Sequence, residues 1–249
     1  MLTQERYRHI LHLLNQQGAV TVTELSERLE TSESTIRRDL NALAKAGKLN
    51  KVFGGATSAR QMAGVDETGV GSRELKQRAQ KQRIARYAAS LVDDGDFVFI
   101  DSGTTTGCLV DYLTNTRATY VTNGVAIAHK LLHCGLTVYL IGGRIKPVTE
   151  AIVGTEGVRA LEQYHFTKAF MGTNGIDLEA GFTTPDVEEA RVKERAVRQS
   201  YHVFVLADST KFRRVYPVTF AGLGDACIIT DHLPDNRFSD HTVIKEVTE

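Results

Sequence analysis

Seven short, β-rich apolar runs recur through the last 150 or so residues: Phe97–Ile100, Thr119–Val121, Thr137–Ile141, Lys168–Met171, His202–Leu206, Ala226–Thr230 and Thr242–Val247. The first five alternate with helical stretches, and Lys76–Leu91 reads as a helix ahead of them. Runs this short and apolar are buried on both faces, and parallel neighbours need a crossover long enough to hold a helix. The pattern predicts an α/β doubly wound, mainly parallel sheet covered by helices. Any ligand is then expected at the carboxyl ends of the strands.

The first sixty residues are patterned differently. Tyr7, Ile10, Leu11 and Leu14 repeat at helical spacing, and Gly18 stops them. Ala19–Val22 reads as a short extended piece. Thr23 is the expected N-cap of a second helix burying Leu25 and Leu29, and Ser32 that of a third carrying Ile36, Leu40 and Leu43. Gly47 ends the third helix, and Leu49–Phe53 runs as a ribbon into Gly54-Gly55. Two short helices, a tight turn and a trailing ribbon predict a mainly α winged helix-turn-helix. Small and polar residues from Thr57 onward predict the domains: 1–56 winged module, 57–73 linker, 74–249 α/β module.

Charge separates the modules. The chain balances 30 Lys and Arg against 30 Asp and Glu, yet Ser34–Arg60 holds six basic residues and one acid, Asp39. With Ile36 at zero and about 100° per residue, Leu40 and Leu43 share its face. Ser34, Arg37, Arg38, Asn41 and Lys45 fall on the opposite side, between about 100° and 200°, with no acid among them. These groups reach base edges and phosphates, Thr35 sits beside them, and Lys48 and Lys51 extend the stripe onto the ribbon. A solvated helix face explains most charge clusters; shared orientation and the ribbon's cations favour double-stranded DNA.

The strand ends of the larger module gather unusual residues: Asp101-Ser102-Gly103-Thr104-Thr105-Thr106, Thr122-Asn123-Gly124, Gly142-Gly143-Arg144, Gly172-Thr173-Asn174-Gly175-Ile176-Asp177 and Ala207-Asp208-Ser209-Thr210-Lys211. Each alone is an ordinary turn. Five on one sheet edge predict a small polar, anionic ligand, with the Asp101–Thr106 loop cradling a phosphate.

No apolar run approaches the roughly 18 residues of a membrane span, and no apolar core of a signal peptide is expected behind Met-Leu-Thr-Gln-Glu-Arg. Cys108, Cys134 and Cys227 are too sparse for a disulfide or zinc framework, so reduced thiols in a cytoplasm are expected. His129, His133 and Cys134 have a spacing a metal could use, but an exposed helix face accounts for them, and neither metal nor cofactor is expected.

Val22–Leu29, Ser34-Thr35-Ile36-Arg37-Arg38-Asp39-Leu40 and Lys51-Val52-Phe53-Gly54-Gly55-Ala56 together resemble the signature of DeoR-type bacterial repressors. That family commonly has Arg and His where this chain has Lys51 and Phe53. The resemblance extends over nearly the whole chain. It implies a sensor domain like ribose-5-phosphate isomerase that binds phosphorylated sugars, with Asp101–Thr106 as phosphate loop and Asp208–Lys211 like the isomerase's Asp-Ser-Ser-Lys strand end. Phe170–Ala190 looks most like fructose-operon and polyol repressors.

The implied effector residues are Asp101, Gly103, Thr104, Thr105, Thr106, Asn123, Arg144, Asn174, Asp177, Glu188 and Lys211. Asn174 stands where the isomerase has a catalytic carboxylate, and an amide cannot act as a general base. Glu188, Glu189 and Lys193 also fit a solvated helix face. The expectation is a non-enzymatic, cytoplasmic, homo-oligomeric repressor of a sugar uptake or catabolism operon. Its release from the operator would come from a sugar phosphate, fructose 1-phosphate first. The alternative is an isomerase-like enzyme with an accessory DNA-binding module.

Overall fold

A computed structural model describes residues 2–58, 61–62, 69–113 and 117–248. It divides into two compact units, residues 1–61 with 234–240 and residues 62–233 with 241–249. Of the expected linker, residues 59–60 and 63–68 lie outside the described residues, while Thr57 and Ser58 continue a strand.

The first unit runs α1 (Thr3–Gln17), β1 (Ala19–Thr21), α2 (Val22–Arg28), α3 (Glu33–Lys45), β2 (Leu49–Val52) and β3 (Gly55–Ser58). Ile10, Leu14, Leu25, Ile36, Leu40 and Leu43 form its core, closed by Val20, Leu49 and Ala56 from the strands. Ser32 caps α3 as expected, accepting from the Thr35 amide at 3.4 Å. Gly47, at φ +67°, ends α3: its amide and that of Lys48 donate to the orphan carbonyls of Ala44 and Leu43. The α2 cap is Thr21, not Thr23. Pairing of β1 with β3 keeps the chain extended through Thr21, so Val22 starts the helix. That pairing also needs Gly55, where a Cβ would meet the Val20 carbonyl oxygen at 2.1 Å.

The second unit is built on β5 (Phe97–Ile100), β6 (Thr119–Thr122), β7 (Thr137–Leu140), β10 (Phe166–Gly172), β13 (Ser200–Leu206), β16 (Cys227–Thr230) and β17 (Ile244–Glu246). These are the seven runs legible in the sequence. They form one sheet in the order β17-β16-β13-β10-β5-β6-β7, with every neighbour parallel. Their helices are α4 (Val70–Leu75), α5 (Arg78–Ala89), α6 (Thr104–Leu109), α7 (Val125–His133), α8 (Thr155–Glu162) and α9 (Val187–Arg198). Ile84, Ala88, Leu109, Ile127 and Leu131 pack with Val98, Ile100, Tyr120, Phe170 and Leu206 on one side of the sheet. Phe99 points the other way, onto Phe166 at 5.4 Å between ring centroids.

Two expectations change. The helix read over Lys76–Leu91 starts later, as α5 at Arg78, because Gln77 takes φ +53° and breaks it from α4. An antiparallel sheet not foreseen in the sequence, β11 (Gly175–Asp177), β12 (Gly181–Thr184) and β15 (Val218–Ala221), follows β10. Short strands without alternation leave no periodic signal. Smaller pieces are β4 (Gln61–Met62), β8 (Arg144–Ile145), β9 (Ile152–Val153) and β14 (Arg214–Val215).

From β5 the chain steps to β6 and β7 on one side, then returns to place β10 and β13 on the other. The direction of winding therefore reverses between β5 and β10. A crevice opens at the carboxyl ends of the strands at such a point.

Candidate DNA interface and ligand cavity

Helix α3 buries Ile36, Asp39, Leu40 and Leu43 and turns Ser34, Arg37, Arg38, Asn41 and Lys45 to solvent. Lys48 and Lys51 are also exposed. Thr35 is half-buried, its hydroxyl 3.0 Å from that of the Ser32 cap. Asp39, 4% exposed, is held by the Arg6 guanidinium through Nε and, at 3.2 Å, Nη2. Its charge is compensated inside the unit.

The face is not free of acid, however. Glu33, one position before the stretch counted above, accepts from Arg37 Nη2 at 3.0 Å and from Thr23 Oγ1 at 3.1 Å. The Arg37 guanidinium, aided by Thr23, holds the Glu33 carboxyl below the usual carboxylate range. Arg38 has no such partner among the described residues. At the wing tip Phe53 is fully exposed in a two-residue turn with Gly54, which takes φ +78°.

In the second unit the crevice between β5 and β10 holds a cavity of about 410 Å³. Asp101 follows β5 and Gly172 ends β10; the Gly172 amide donates to Asp101 Oδ2 at 2.9 Å. Gly172 eases this approach, since a Cβ there would crowd Asp101 Oδ2 at 3.1 Å. Lys193, reaching down from α9, donates to Asp101 Oδ2 and, at 3.1 Å, to the Gly172 carbonyl. Asp101 is 0% and Lys193 6% exposed, and Lys193 Nζ lies 5.5 Å from the Phe220 ring centre. Asp101 Oδ1 is buried with no hydrogen-bond partner among the described residues.

Of the effector residues expected, Asp101, Gly103, Thr104, Thr105, Asn174 and Lys211 line this cavity. Five do not. Thr106 turns its hydroxyl onto the Asp101 and Gly103 carbonyls, fixing the loop from within. Asn123 is buried behind the loop, accepting from the Ser102 amide at 3.0 Å, because β6 lies on the far side of β5. Arg144, on the β8–β9 ribbon, pairs with Glu188 on the outer side of α9. Asp177 shapes the β11–β12 turn by accepting from the Glu179 and Ala180 amides at 3.1 and 3.0 Å.

The cavity gains residues the strand-end reading missed: Arg73, Lys76, Lys81, Lys193, Arg214 and Glu189 among them. Glu189 is bonded to Thr149 Oγ1 at 2.7 Å and paired with Lys146 at 3.3 Å. The helical period of α9 carried a usable signal. Glu189 and Lys193 are four apart and share a face with Val192 and Ala196, whereas Glu188 points away.

Cations dominate the remainder. Among the described residues Lys76, Lys81, Lys211 and Arg214 have no carboxylate within ion-pair distance. Burial, and then the charge of Lys211, pushes the Lys81 ammonium below its ordinary range. Burial, then Arg214, Arg73 and Lys76, does the same to Lys211, outweighing Asp208. A second cavity of about 350 Å³ shares Ser102, Gly103 and Thr104 but is walled by Leu75, Ala126, Ile127 and Cys108.

Comparison with known proteins follows the same division. The DeoR-like helix-turn-helix domain matches residues 6–62 and the DeoR C terminal sensor domain residues 76–232. The uncharacterized HTH-type transcriptional regulator FruR of Bacillus subtilis (strain 168) is 41% identical over 99% of both chains. The lactose phosphotransferase system repressor of Staphylococcus aureus (strain N315) is 32% identical over 100% of both. Ribose 5-phosphate isomerase A from Methanocaldococcus jannaschii superposes with a TM-score of 0.42 and 14% identity over 55% of each chain. With both domains matched and a relative aligned almost end to end, this chain belongs to the DeoR family of helix-turn-helix transcription regulators.

Proposed function

We propose that this regulator represses a sugar uptake or catabolism operon and releases its operator when a phosphorylated sugar enters the cavity between β5 and β10. The carrying observation is the mismatch inside that cavity. Its carboxylates are engaged within the protein, Asp101 by Lys193, Glu189 by Lys146 and Asp208 by Thr210, while among the described residues Lys81, Lys211 and Arg214 have no carboxylate at ion-pair distance. An anion removes the repulsion among these cations, and the free Oδ1 of Asp101 accepts a hydroxyl. One ligand with a phosphate and hydroxyl groups meets both needs. Relatives named for a phosphotransferase system and as FruR point the same way.

The DNA contacts assigned are Ser34, Arg37, Arg38, Asn41, Lys45, Lys48 and Lys51, with Thr35 placed to support the cap. A single winged module covers little DNA, so a symmetric oligomer on repeated half-sites is the working assembly. No catalytic step is assigned. Asn174 uses its Oδ1 to accept from Thr184 Oγ1 at 3.2 Å and has no proton-accepting carboxylate to offer.

Purified protein is expected to be stabilised by fructose 1-phosphate and unaffected by fructose at equal concentration. A ligand at a hundred times its dissociation constant adds about 2.7 kcal/mol, well within a thermal-shift assay. Equal stabilisation by the free sugar would refute the anion argument. The increment is also expected to shrink at alkaline pH. Lys81 and Lys211 have folded pKa values below their unfolded ones, so they lose charge before an ordinary lysine does. The unfolded state then binds more protons across that window, so apo stability rises with pH while anion affinity falls.

On the DNA side, Arg38→Ala is expected to weaken operator binding by about 1–3 kcal/mol and flatten its salt dependence. Arg37→Ala costs less, since that guanidinium already partners Glu33. Glu33→Gln frees Arg37 and removes a negative charge facing the phosphates, so affinity rises. Titrations in which Arg37→Ala is the more damaging change, or Glu33→Gln weakens binding, would exclude this assignment.

A further inference from the structure

Resting on the sugar-phosphate reading and deepening it, the geometry points to Arg73 as the anchor of the ligand's anion and to α4 as a strap that the bound ligand holds in its seat. Within residues 71–79 every side chain but that of Arg73 is exposed, Leu75 at 76%. Apolar burial therefore does little to hold this stretch. Arg73 instead turns inward to the cavity wall, where its Nε and Nη2 are buried with no hydrogen-bond partner among the described residues.

Buried donors left unpaired are costly, and a guanidinium fork suits two oxygens of one phosphate. The same wall holds Lys81, Lys211 and Arg214, so the unliganded cavity repels the residue that ought to hold α4 down. What opposes that repulsion is Lys81, whose ammonium donates to the Arg73 carbonyl and, at 2.9 Å, to Thr104 Oγ1. Lys81 thereby ties the α4 backbone to the Asp101–Thr106 loop. A phosphate among these groups converts repulsion into shared attraction and seats the strap.

α4 lies on the chain that leads from the Met1–Gln61 segment of the first unit into the sensor. Ordering a segment is an established route for passing ligand state along a chain. Here the ligand orders α4 from a cavity lined by residues of the second unit. Affinity for the ligand and for DNA become linked through one segment.

Hydrogen–deuterium exchange of the full-length protein tests this, with fructose 1-phosphate and inorganic phosphate as separate probes. In the wild type, saturating fructose 1-phosphate is expected to slow exchange over residues 70–77 at least tenfold. Arg73→Gln should bind it at least tenfold more weakly. At saturation it should leave residues 70–77 exchanging freely and the operator still bound. Lys211→Met, weakened in ligand affinity, should protect residues 70–77 once saturated. Equal affinity in Arg73→Gln, or protection of its residues 70–77, overturns the anchor and leaves the sugar-phosphate reading intact. A wild type protected by phosphate but by no sugar phosphate retires the sugar and keeps the anchor. Response to neither overturns both.

Discussion

Lys193→Ala is expected to destabilise the sensor unit by about 3–5 kcal/mol, the cost of stranding a buried charge. Asp101 is fully buried, and without Lys193 its carboxylate keeps, among the described residues, one hydrogen bond, from the Gly172 amide. Asp101→Ala should cost a similar amount, by leaving the ammonium of Lys193 against the Gly172 carbonyl and the Phe220 ring. The double variant Asp101→Leu/Lys193→Met should cost far less than the two single losses added. Well-packed apolar replacements remove both desolvation penalties together. Guanidinium unfolding followed by circular dichroism gives all three values. Additive losses would mean that the two groups act separately and that the pair does not organise the β5–β10 crevice.

Lys211→Met is expected to produce a regulator that binds operator normally and resists induction, releasing it only at much higher effector concentration. Loss of a charge-assisted hydrogen bond to the phosphate should weaken the effector by about 1.5–3 kcal/mol, roughly ten- to a hundredfold. The apo protein should melt no earlier than the wild type, and somewhat later. Lys211 meets neither Asp208 nor Asp101 in an ion pair, and its ammonium is disfavoured by burial and by Arg214, Arg73 and Lys76. Its folded pKa lies below its unfolded one, so at neutral pH the charge costs stability that the methionine restores. A structural ion pair predicts the reverse, with melting temperature and operator binding falling together. Calorimetry with fructose 1-phosphate and a gel-shift titration separate the two.

The seven strands were legible because each buries a continuous apolar run, a local property that survives whatever the strand order. The helix-turn-helix was legible for a related reason. Leu40 and Leu43 lie on the face of Ile36, and Ser32 and Gly47 bound the helix by contacts made within a few residues. Where a boundary depended on a distant partner, local reading slipped. Thr21 rather than Thr23 caps α2 because β3 pairs with β1. Glu33 counts on the DNA face because one helical turn brings it to Arg37, just outside the basic stretch that starts at Ser34.

The candidate site divides in the same way. Asp101, Gly103, Thr104, Asn174 and Lys211 could be named from sequence because strand ends of a doubly wound sheet share one edge. Sequence by itself determined that edge, the two modules and the outward face of α3. Only the tertiary structure decided which ends meet. The order β13-β10-β5-β6-β7 brings the loops after β5, β10 and β13 together and sends Asn123 and Arg144 elsewhere. It also decided that Lys193 is a buried partner of Asp101, and that Arg73 and Lys81 meet Lys211 and Arg214 from a distant part of the chain. The physical reason is range: periodicity and capping act over one or two turns of chain, whereas charge repulsion and burial act through space between residues that only strand order makes neighbours.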